Sequence, residues 1–111
     1  MDGKLRIAKV MKTKYELSAK VWLYPGYAAW HFVTLAKKES EQIKSAFEAF
    51  KRGWGSLPVN VTIGKTTWKT SIFPDKKAGA YLLPLKAEVR KKENIKEGNS
   101  IKFTIEILIN Y

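Results

Sequence analysis

Hydrophobic and polar residues alternate along residues 15–23, where every second side chain is apolar. A period of two is typical of a strand with one buried face. We therefore expect the odd-numbered side chains to face a core and Trp22 to point the other way. Residues 24–27 contain a Pro-Gly pair, which predicts a turn. The apolar run over residues 30–35 predicts a second strand.

The hydrophobic period lengthens over residues 37–50, where apolar side chains recur at the i, i+3, i+4 and i+7 spacing of an amphipathic helix. This stripe consists of Ile43, Ala46, Phe47 and Phe50. Acidic residues near the start of the segment and basic residues at its end suit the helix dipole. A second, shorter helix is predicted over residues 87–93.

Residues 57–63 and 66–73 alternate like the first strand and predict a β-hairpin. The Gly64-Lys65 pair between them suits a two-residue type II′ turn, which favours glycine in its first position. Residues 80–85 and 100–111 predict two further strands. Taken together, the pattern predicts a mainly β domain with about seven strands, one longer helix and one short helix.

A strand that runs into a helix through a Leu-x-x-Lys sequence occurs twice, at residues 35–38 and 83–86. Each copy is followed by a glycine-containing turn and an alternating strand. A chain of 111 residues has the usual size of one domain. These observations predict an internal repeat within a single domain over residues 13–111, preceded by a basic arm over residues 1–12.

The chain contains no cysteine, which excludes disulfides, thiolate metal sites and cysteine catalysis. Small secreted domains often carry disulfides, so this composition favours the cytoplasm. No apolar run approaches the roughly 20 residues that cross a bilayer, and no segment resembles a signal peptide. We expect a soluble, cytoplasmic protein with no membrane partner.

Lysine and arginine give the chain a formal net charge of +11. A field of this sign attracts polyanions, so an anionic ligand or a nucleic acid is a candidate partner. Most of the excess is lysine, which also serves plain solubility, whereas arginine is better suited to bidentate recognition of phosphate. Charge alone therefore leaves nucleic-acid binding as one alternative among several.

Residues that suggest catalysis are few. The one histidine, His31, lies between two aromatic residues of a predicted strand, where a packed or hydrogen-bonded histidine is commoner than a catalytic base. No His, Asp or Glu cluster has metal-ligand spacing, so no metal and no cofactor is expected. Gly64-Lys65-Thr66 resembles the end of a P-loop, but Val59 occupies the place of the first glycine. We interpret this segment as a hairpin turn.

Six segments together resemble one small bacterial family. They are Val21-Trp22-Leu23-Tyr24-Pro25-Gly26, Trp30-His31-Phe32-Val33, Arg52-Gly53-Trp54-Gly55-Ser56-Leu57-Pro58-Val59, Val61-Thr62-Ile63-Gly64, Thr67-Trp68-Lys69-Thr70-Ser71-Ile72-Phe73-Pro74-Asp75 and Tyr81-Leu82-Leu83-Pro84. The family is a domain of unknown function that is sometimes fused to a YdeI/OmpD-associated (bacteriocin-protection) domain. The resemblance implies no activity, but it makes a YdeI/OmpD-associated domain a candidate protein partner.

The same resemblance implies a double-split β-barrel, distantly similar to the barrels of AbrB, MazE and MraZ. Residues 83–99 share features with those barrels, although Asn99 stands where AbrB-like chains usually have aspartate. AbrB-like proteins bind DNA and build the barrel from two chains. Two units within one chain are able to close the barrel alone, so we expect a monomer.

Aromatic and basic residues make up the candidate ligand-binding set, which is Trp30, His31, Arg52, Trp54, Ser56, Trp68, Lys69, Phe73, Tyr81 and Lys86. The rings are able to line a groove or to stack bases beside a basic track, and the alternative is a second layer of packing in which the long helix covers that face. Within the set, residues 52–56 are the first choice. Two glycines there allow a ligand close to the backbone, and Arg52 is suited to holding an anion.

Three functions follow from these observations. The leading hypothesis is a non-enzymatic module that binds a ligand or a partner, because no catalytic set is evident. The first alternative is a DNA-binding, AbrB-like barrel. The second alternative is a small enzyme that acts on an anionic substrate with His31 or Lys69 as the base.

Overall fold

The computed structural model describes residues 12–26 and 29–109, and seven strands and two α-helices lie in this part of the chain. In chain order they are β1 (Lys14–Lys20), β2 (Trp22–Leu23), β3 (His31–Thr34), α1 (Lys37–Phe47), β4 (Leu57–Ile63), β5 (Thr66–Asp75), β6 (Ala80–Pro84), α2 (Ala87–Lys92) and β7 (Ser100–Ile107). Two 3-10 turns, Glu48–Phe50 and Gly53–Gly55, lie between α1 and β4. The predicted mainly β class with one longer and one short helix is confirmed.

All neighbouring strands are antiparallel, in the order β1-β7-β4-β5-β6-β3-β2, and the sheet curls into a half-barrel. The long strand β5 belongs to both halves of this sheet. Its residues 66–72 pair with β4, and its residues 73–75 pair with β6. We call the half made of β1, β7, β4 and the start of β5 sheet A, and the half made of the end of β5, β6, β3 and β2 sheet B.

The predicted internal repeat appears as an approximate two-fold symmetry. In sheet B, Val33 of β3 lies opposite Leu83 of β6. On either side of this pair, the Leu35 N–H donates to the Tyr81 carbonyl and the Leu85 N–H donates to the His31 carbonyl, both at 2.9 Å. The symmetry thus makes Leu85 the equivalent of Leu35. The Leu-x-x-Lys alignment predicted Leu83 instead, so the predicted repeat is out of register by two residues.

Sheet A has the same symmetry. Thr62 of β4 lies opposite Thr104 of β7. An approximate two-fold axis through this pair relates β4 to β7. Consequently β1, β2, β3, α1 and β4 form one unit, and β5, β6, α2 and β7 form its equivalent. The long strand β5 corresponds to β1 and β2 taken together.

The core fills the concave side of the curled sheet. Strand β4 alternates strictly, and its four odd-numbered residues are at most 6% exposed. Helix α1 adds Ile43 and Phe47, which are fully buried in the same cluster. Burying a side chain of this kind stabilises the fold by about 1.5–3 kcal/mol. The helix was predicted to reach residue 50, but it continues as a 3-10 turn after Phe47, whose φ of −120° leaves the α-helical region.

The predicted strand over residues 15–23 is broken into β1 and β2. Val21 leaves the ladder with β7: its N–H donates to the Asn99 carbonyl, and its own carbonyl accepts from the Gly98 N–H. The predicted strand over residues 100–111 ends at Ile107. Three predictions lie partly outside the described residues. They concern residues 1–11 of the basic arm, Tyr27 of the first turn and residues 110–111 of the last strand.

The Gly64-Lys65 turn joins β4 to β5, as predicted. Gly64 has a φ of +57°, and Lys65 is not in the positive-φ region, which matches a type II′ turn. Glu93, just after α2, accepts hydrogen bonds from the Thr66 hydroxyl at 2.5 Å and the Lys65 N–H at 3.3 Å. These contacts show a carboxylate, not a phosphate site, at the segment that resembles a P-loop.

Candidate functional site

The structure distributes the ten predicted site residues over several environments. Trp68, Tyr81 and Ser56 are buried, each at most 9% exposed. Trp30, His31, Phe73 and Lys86 lie on or beside sheet B, Arg52 and Trp54 lie in the loop before β4, and Lys69 is exposed on β5. The ten residues therefore do not converge on one groove, but Trp30 and Phe73 share one surface, with Lys86 at its edge.

That surface is the outer, convex face of sheet B, where the strand register arranges side chains in rows. One row contains Trp22, Phe32 and Pro84, which are paired across β2, β3 and β6. The next row contains Thr34, Leu82 and Phe73, paired across β3, β6 and β5.

A third row lies beyond the ends of the strands. The Tyr24 N–H donates to the Trp30 carbonyl at 2.9 Å, which continues the pairing of β2 with β3. The bond from the Leu85 N–H to the His31 carbonyl likewise continues the pairing of β3 with β6, so Trp30 and Lys86 are the next opposed residues. We call the surface formed by Trp22, Tyr24, Trp30, Phe32, Phe73, Thr34, Leu82 and Pro84 the aromatic face.

The rings of the aromatic face pack against one another and remain open to solvent. The centroid of the Phe32 ring lies 5.3 Å from that of Trp22 and 5.9 Å from that of Tyr24, and Tyr24 and Trp30 are also 5.9 Å apart. These are the spacings of favourable aromatic pairs. Trp30 is nevertheless 53% exposed, and Tyr24 and Phe73 are 39% and 40% exposed.

The indole of Trp22 has a fixed orientation, because its Nε1–H donates to the Thr34 hydroxyl at 3.0 Å. This hydrogen bond lays the ring across the neighbouring strand β3. Both helices bury their apolar side chains in the core on the opposite side of the sheet. The aromatic face is thus ordered by its own contacts and is not a layer beneath α1.

Arg90 of α2 braces the chain that leads to Trp30. Its Nη1 donates to His31 Nε2 at 3.4 Å, its Nη2 donates to the Ala29 carbonyl at 3.4 Å, and its Nε donates to the Leu85 carbonyl at 3.0 Å. Since a guanidinium only donates, His31 Nε2 accepts and His31 Nδ1–H donates to Ala29 at 3.1 Å. Both ring nitrogens of His31 are therefore engaged in positioning this segment.

The loop before β4 presents Trp54 to solvent. Trp54 is 94% exposed and has a φ of +63°, a left-handed conformation that is costly for any residue but glycine. The loop is held by hydrogen bonds from the Arg52 N–H to the Ser56 carbonyl at 2.7 Å and from the Gly55 N–H to the Arg52 carbonyl at 2.9 Å. A Cβ on Gly55 would lie 3.0 Å from Pro74 Cγ, so the loop packs beside the residue that follows Phe73.

A cavity of about 340 Å³ lies between α1 and the turn that joins β5 to β6. Ser40 at its wall accepts a hydrogen bond from the Tyr81 N–H at 3.0 Å. Burial raises the pKa of the Tyr81 phenol, and the charge of Glu48 adds to this effect. The pKa of Glu48 is itself lowered by the hydrogen bond and charge of Lys51. This arrangement keeps the Tyr81 phenol protonated.

Neither a metal site nor a membrane span is found in the part of the chain that the structure describes. No group of three or more His, Asp or Glu side chains there is placed to hold a metal ion. Neither helix of residues 12–26 and 29–109 is long and apolar enough to cross a membrane.

Of the rings on the aromatic face, only Trp30 and Phe73 belong to the ten predicted site residues; Trp22, Tyr24 and Phe32 do not, and neither does Arg90, which braces the segment before β3. The signal for Trp22 was present, because the alternation of residues 15–23 places it opposite the core side chains. Phe32 follows by the same argument from its neighbour Val33, which is fully buried. The role of Arg90 depends on contacts between α2 and the segment before β3, and these have no local sequence signal.

A comparison with protein families gives one match. The family model described as Domain of unknown function (DUF1905) matches residues 18–105, from within β1 to within β7. The match includes both structural units and every residue of the aromatic face. No curated protein matches the chain.

Proposed function

The chain belongs to the DUF1905 family of domains of unknown function, and we propose that it is a non-enzymatic binding module whose binding surface is the aromatic face. One observation carries this proposal. Trp30, Tyr24 and Phe73 are 39–53% exposed on a single convex surface, where contiguous apolar rings are typical of an interaction site.

The internal symmetry supports the proposal, because it supplies a comparison at equivalent positions. The β5–β6 hairpin has Ala80 and Asp75 where the β2–β3 hairpin has Trp30 and Tyr24. The fold is thus compatible with a small and a polar residue at these places. The exposed rings of Trp30 and Tyr24, which these equivalent positions lack, are better explained by binding than by folding.

Replacement of Trp30 and Tyr24 tests the proposal. The probe is ANS, an anionic naphthalene whose fluorescence rises on apolar surfaces. We expect the native protein to bind ANS and the double variant Trp30→Ala with Tyr24→Asn to bind it at least tenfold more weakly. The matched control is Trp54→Ala, which removes an exposed indole outside the aromatic face and should leave ANS affinity within twofold.

Two results would contradict the proposal. One is equal ANS binding by the double variant and the native protein. The other is a loss of several kcal/mol in the free energy of unfolding of the double variant, measured in urea, since this would make the rings part of the structural framework.

A second candidate is the AbrB-like DNA-binding role, and two observations favour it: the net charge of +11 and the two-fold relation of the structural units. Binding of this kind predicts an affinity for duplex DNA that falls steeply with salt. A YdeI/OmpD-associated domain as protein partner is supported only by the family resemblance. An enzyme with His31 or Lys69 as base has less support, since both His31 nitrogens are engaged and Lys69 lies exposed on a strand.

We also propose that the protein acts as a monomer in the cytoplasm. Both units of the barrel are contained in one chain, and the absence of cysteine suits a reducing compartment. Sedimentation equilibrium should return the mass of one chain, 12.7 kDa. A mass twice as large over a range of concentrations would contradict this expectation.

A further inference from the structure

We infer that the aromatic face binds single-stranded nucleic acid, with two or three bases stacked on its rings. This inference rests on the proposed function, because it names the ligand class of the same surface. It is carried by the combination of three features: an open antiparallel sheet, exposed rings in register on that sheet, and the exposed Lys86 beside Trp30 at one end of the ring array.

The geometry of the surface suits unpaired bases. Sheet B contains four strands in the order β5-β6-β3-β2, and rings project from β2, β3 and β5. Neighbouring strands are spaced by about 4.8 Å. The array therefore extends over roughly 14 Å from β2 to β5. A four-stranded sheet that stacks two or three bases on its aromatic residues is an established way to hold single-stranded RNA.

The charges around the rings suit a phosphate backbone. Lys86 lies opposite Trp30 in the register, and Arg90 contacts the Ala29 carbonyl next to it. Glu88 lies 3.6 Å from Lys86, but both side chains are more than half exposed, so this ion pair is weak and easily exchanged for a phosphate.

A single strand fits these features better than a duplex, because only unpaired bases offer their flat faces for stacking. The binding should tolerate many sequences. Thr34 is the one hydroxyl within the two paired rows, and it already accepts the hydrogen bond of Trp22. The surface therefore offers few groups that distinguish one base edge from another.

A polyanion also fits better than a second copy of this chain. Two copies that met through their aromatic faces would bring two chains of net charge +11 together, and like charges at a shared surface oppose association. An apolar segment of another protein would use the rings but leave the flanking cations without a role. The single strand uses both.

The test is fluorescence anisotropy with a fluorescein-labelled dT15 oligonucleotide, titrated with the full chain at about 50 mM and 200 mM salt. We expect binding that weakens with salt, and an affinity at least tenfold lower for the double variant Trp30→Ala with Tyr24→Asn, because each stacked base contributes strongly to such complexes. Thr67→Ala, which changes an exposed residue of sheet A outside the aromatic face, should retain the native affinity within twofold.

A lysine comparison tests the placement of the backbone. Lys86→Gln should reduce the slope of log affinity against log salt by about 0.7, the value for one phosphate contact with a single strand. Lys102→Gln removes an exposed lysine from the outer face of sheet A and should leave the slope unchanged. Equal slopes for the two variants would overturn the assigned path of the strand.

Four results would overturn the inference. If ANS binds the aromatic face and dT15 does not bind, the ligand class is wrong while the binding surface stands; if neither binds, the proposed function fails as well. Tighter binding of a 15-base-pair duplex than of dT15 would favour the AbrB-like role instead. A dimer in sedimentation equilibrium that the double variant abolishes would identify a second copy as the occupant.

Discussion

The two β-hairpins of sheet B occupy equivalent places in the fold but present different outer surfaces. In the β2–β3 hairpin, the outward residues are aromatic: Trp22, Tyr24, Trp30 and Phe32. The equivalent residues of the β5–β6 hairpin are Phe73, Asp75, Ala80 and Leu82. Since the same backbone arrangement accepts both sets, the extra rings of the first hairpin are not a requirement of the fold.

The inner sides of the same hairpins are alike. Val33 and Leu83 face each other and are fully buried, and Leu35 and Leu85 are at most 2% exposed. Packing density leaves little freedom on this side, because any change of volume is felt in the core. The two hairpins therefore differ on their outward side, where Trp30 is 53% exposed and its equivalent Ala80 is 7% exposed.

The turns of the two hairpins are stabilised in different ways. The β5–β6 turn is closed locally: Asp75 accepts from the Gly79 N–H at 2.9 Å through its carbonyl and from the Lys77 N–H at 3.1 Å through its side chain. The segment before β3 is instead braced by Arg90 from α2. Positioning of Trp30 thus depends on a contact between the two structural units.

The contrast between inner and outer rings predicts the largest effect. Trp68→Ala should lower the free energy of unfolding by about 3–5 kcal/mol, because a core indole leaves a cavity. Trp30→Ala should cost about 1–2 kcal/mol, since half of that ring is already exposed. Urea denaturation measures both values. Similar losses for the two variants would show that the aromatic face is structural.

Exchange at a symmetry-related position should have the next largest effect. Ala80→Trp places the residue of the first hairpin into the second, where Ala80 is 7% exposed. We expect a loss of about 1–3 kcal/mol in the free energy of unfolding, because a full site resists a larger side chain. An unchanged stability would mean that the second hairpin is also able to carry an aromatic face.

The loop beside Phe73 allows a smaller comparison. Gly55 has a φ of +76°, and its Cβ would press on Pro74, so Gly55→Ala should cost about 1–2 kcal/mol. Gly53→Ala is the control, because open space surrounds its Cβ; it should change the stability by less than about 0.5 kcal/mol. Trp54→Gly should not destabilise, since glycine accepts the left-handed φ of that position.

The smallest effect concerns Tyr81, which the symmetry equates with His31. Burial and the charge of Glu48 raise its pKa above the ordinary value of 10.0. The folded state therefore holds the proton more tightly than the unfolded chain, so the contribution of Tyr81 to stability is fully present below pH 10 and is lost as the pH rises through the raised folded pKa. Tyr81→Phe should flatten this fall above pH 10 in urea unfolding. An identical slope in the two proteins would contradict the assignment.

Periodicity was sufficient for most of the fold because each strand has one buried face. The alternation of residues 57–63 and the i, i+4 spacing of the buried Ile43 and Phe47 follow from burial of one face of each element. The break at Val21 had no such signal, since it arises from hydrogen bonds to Gly98 and Asn99. The register of the internal repeat also had no local sequence signal, because it is set by backbone hydrogen bonds between the two units.

The candidate site shows where local pattern stops being informative. Trp68 shares its side of β5 with Thr66, Thr70 and Ile72, so two threonines weaken the apolar pattern that marks that side as the core. Pairing with Val61, which is fully buried, settles its direction. Trp30 is also surrounded by aromatic residues in the sequence, yet it lies outside. A ring is equally compatible with either side, and only the curl of the sheet assigns one.

The sequence by itself determined the mainly β class, the order of the elements, the duplicated strand-to-helix unit and the chemistry of the candidate surface, because these depend on local periodicity and residue type. The tertiary structure alone decided which rings line the core and which form the aromatic face. It also decided that Lys86 lies opposite Trp30 and that Arg90 braces the segment before β3. Those facts depend on pairing between distant segments, and strand register is set by the whole sheet and not by any one strand.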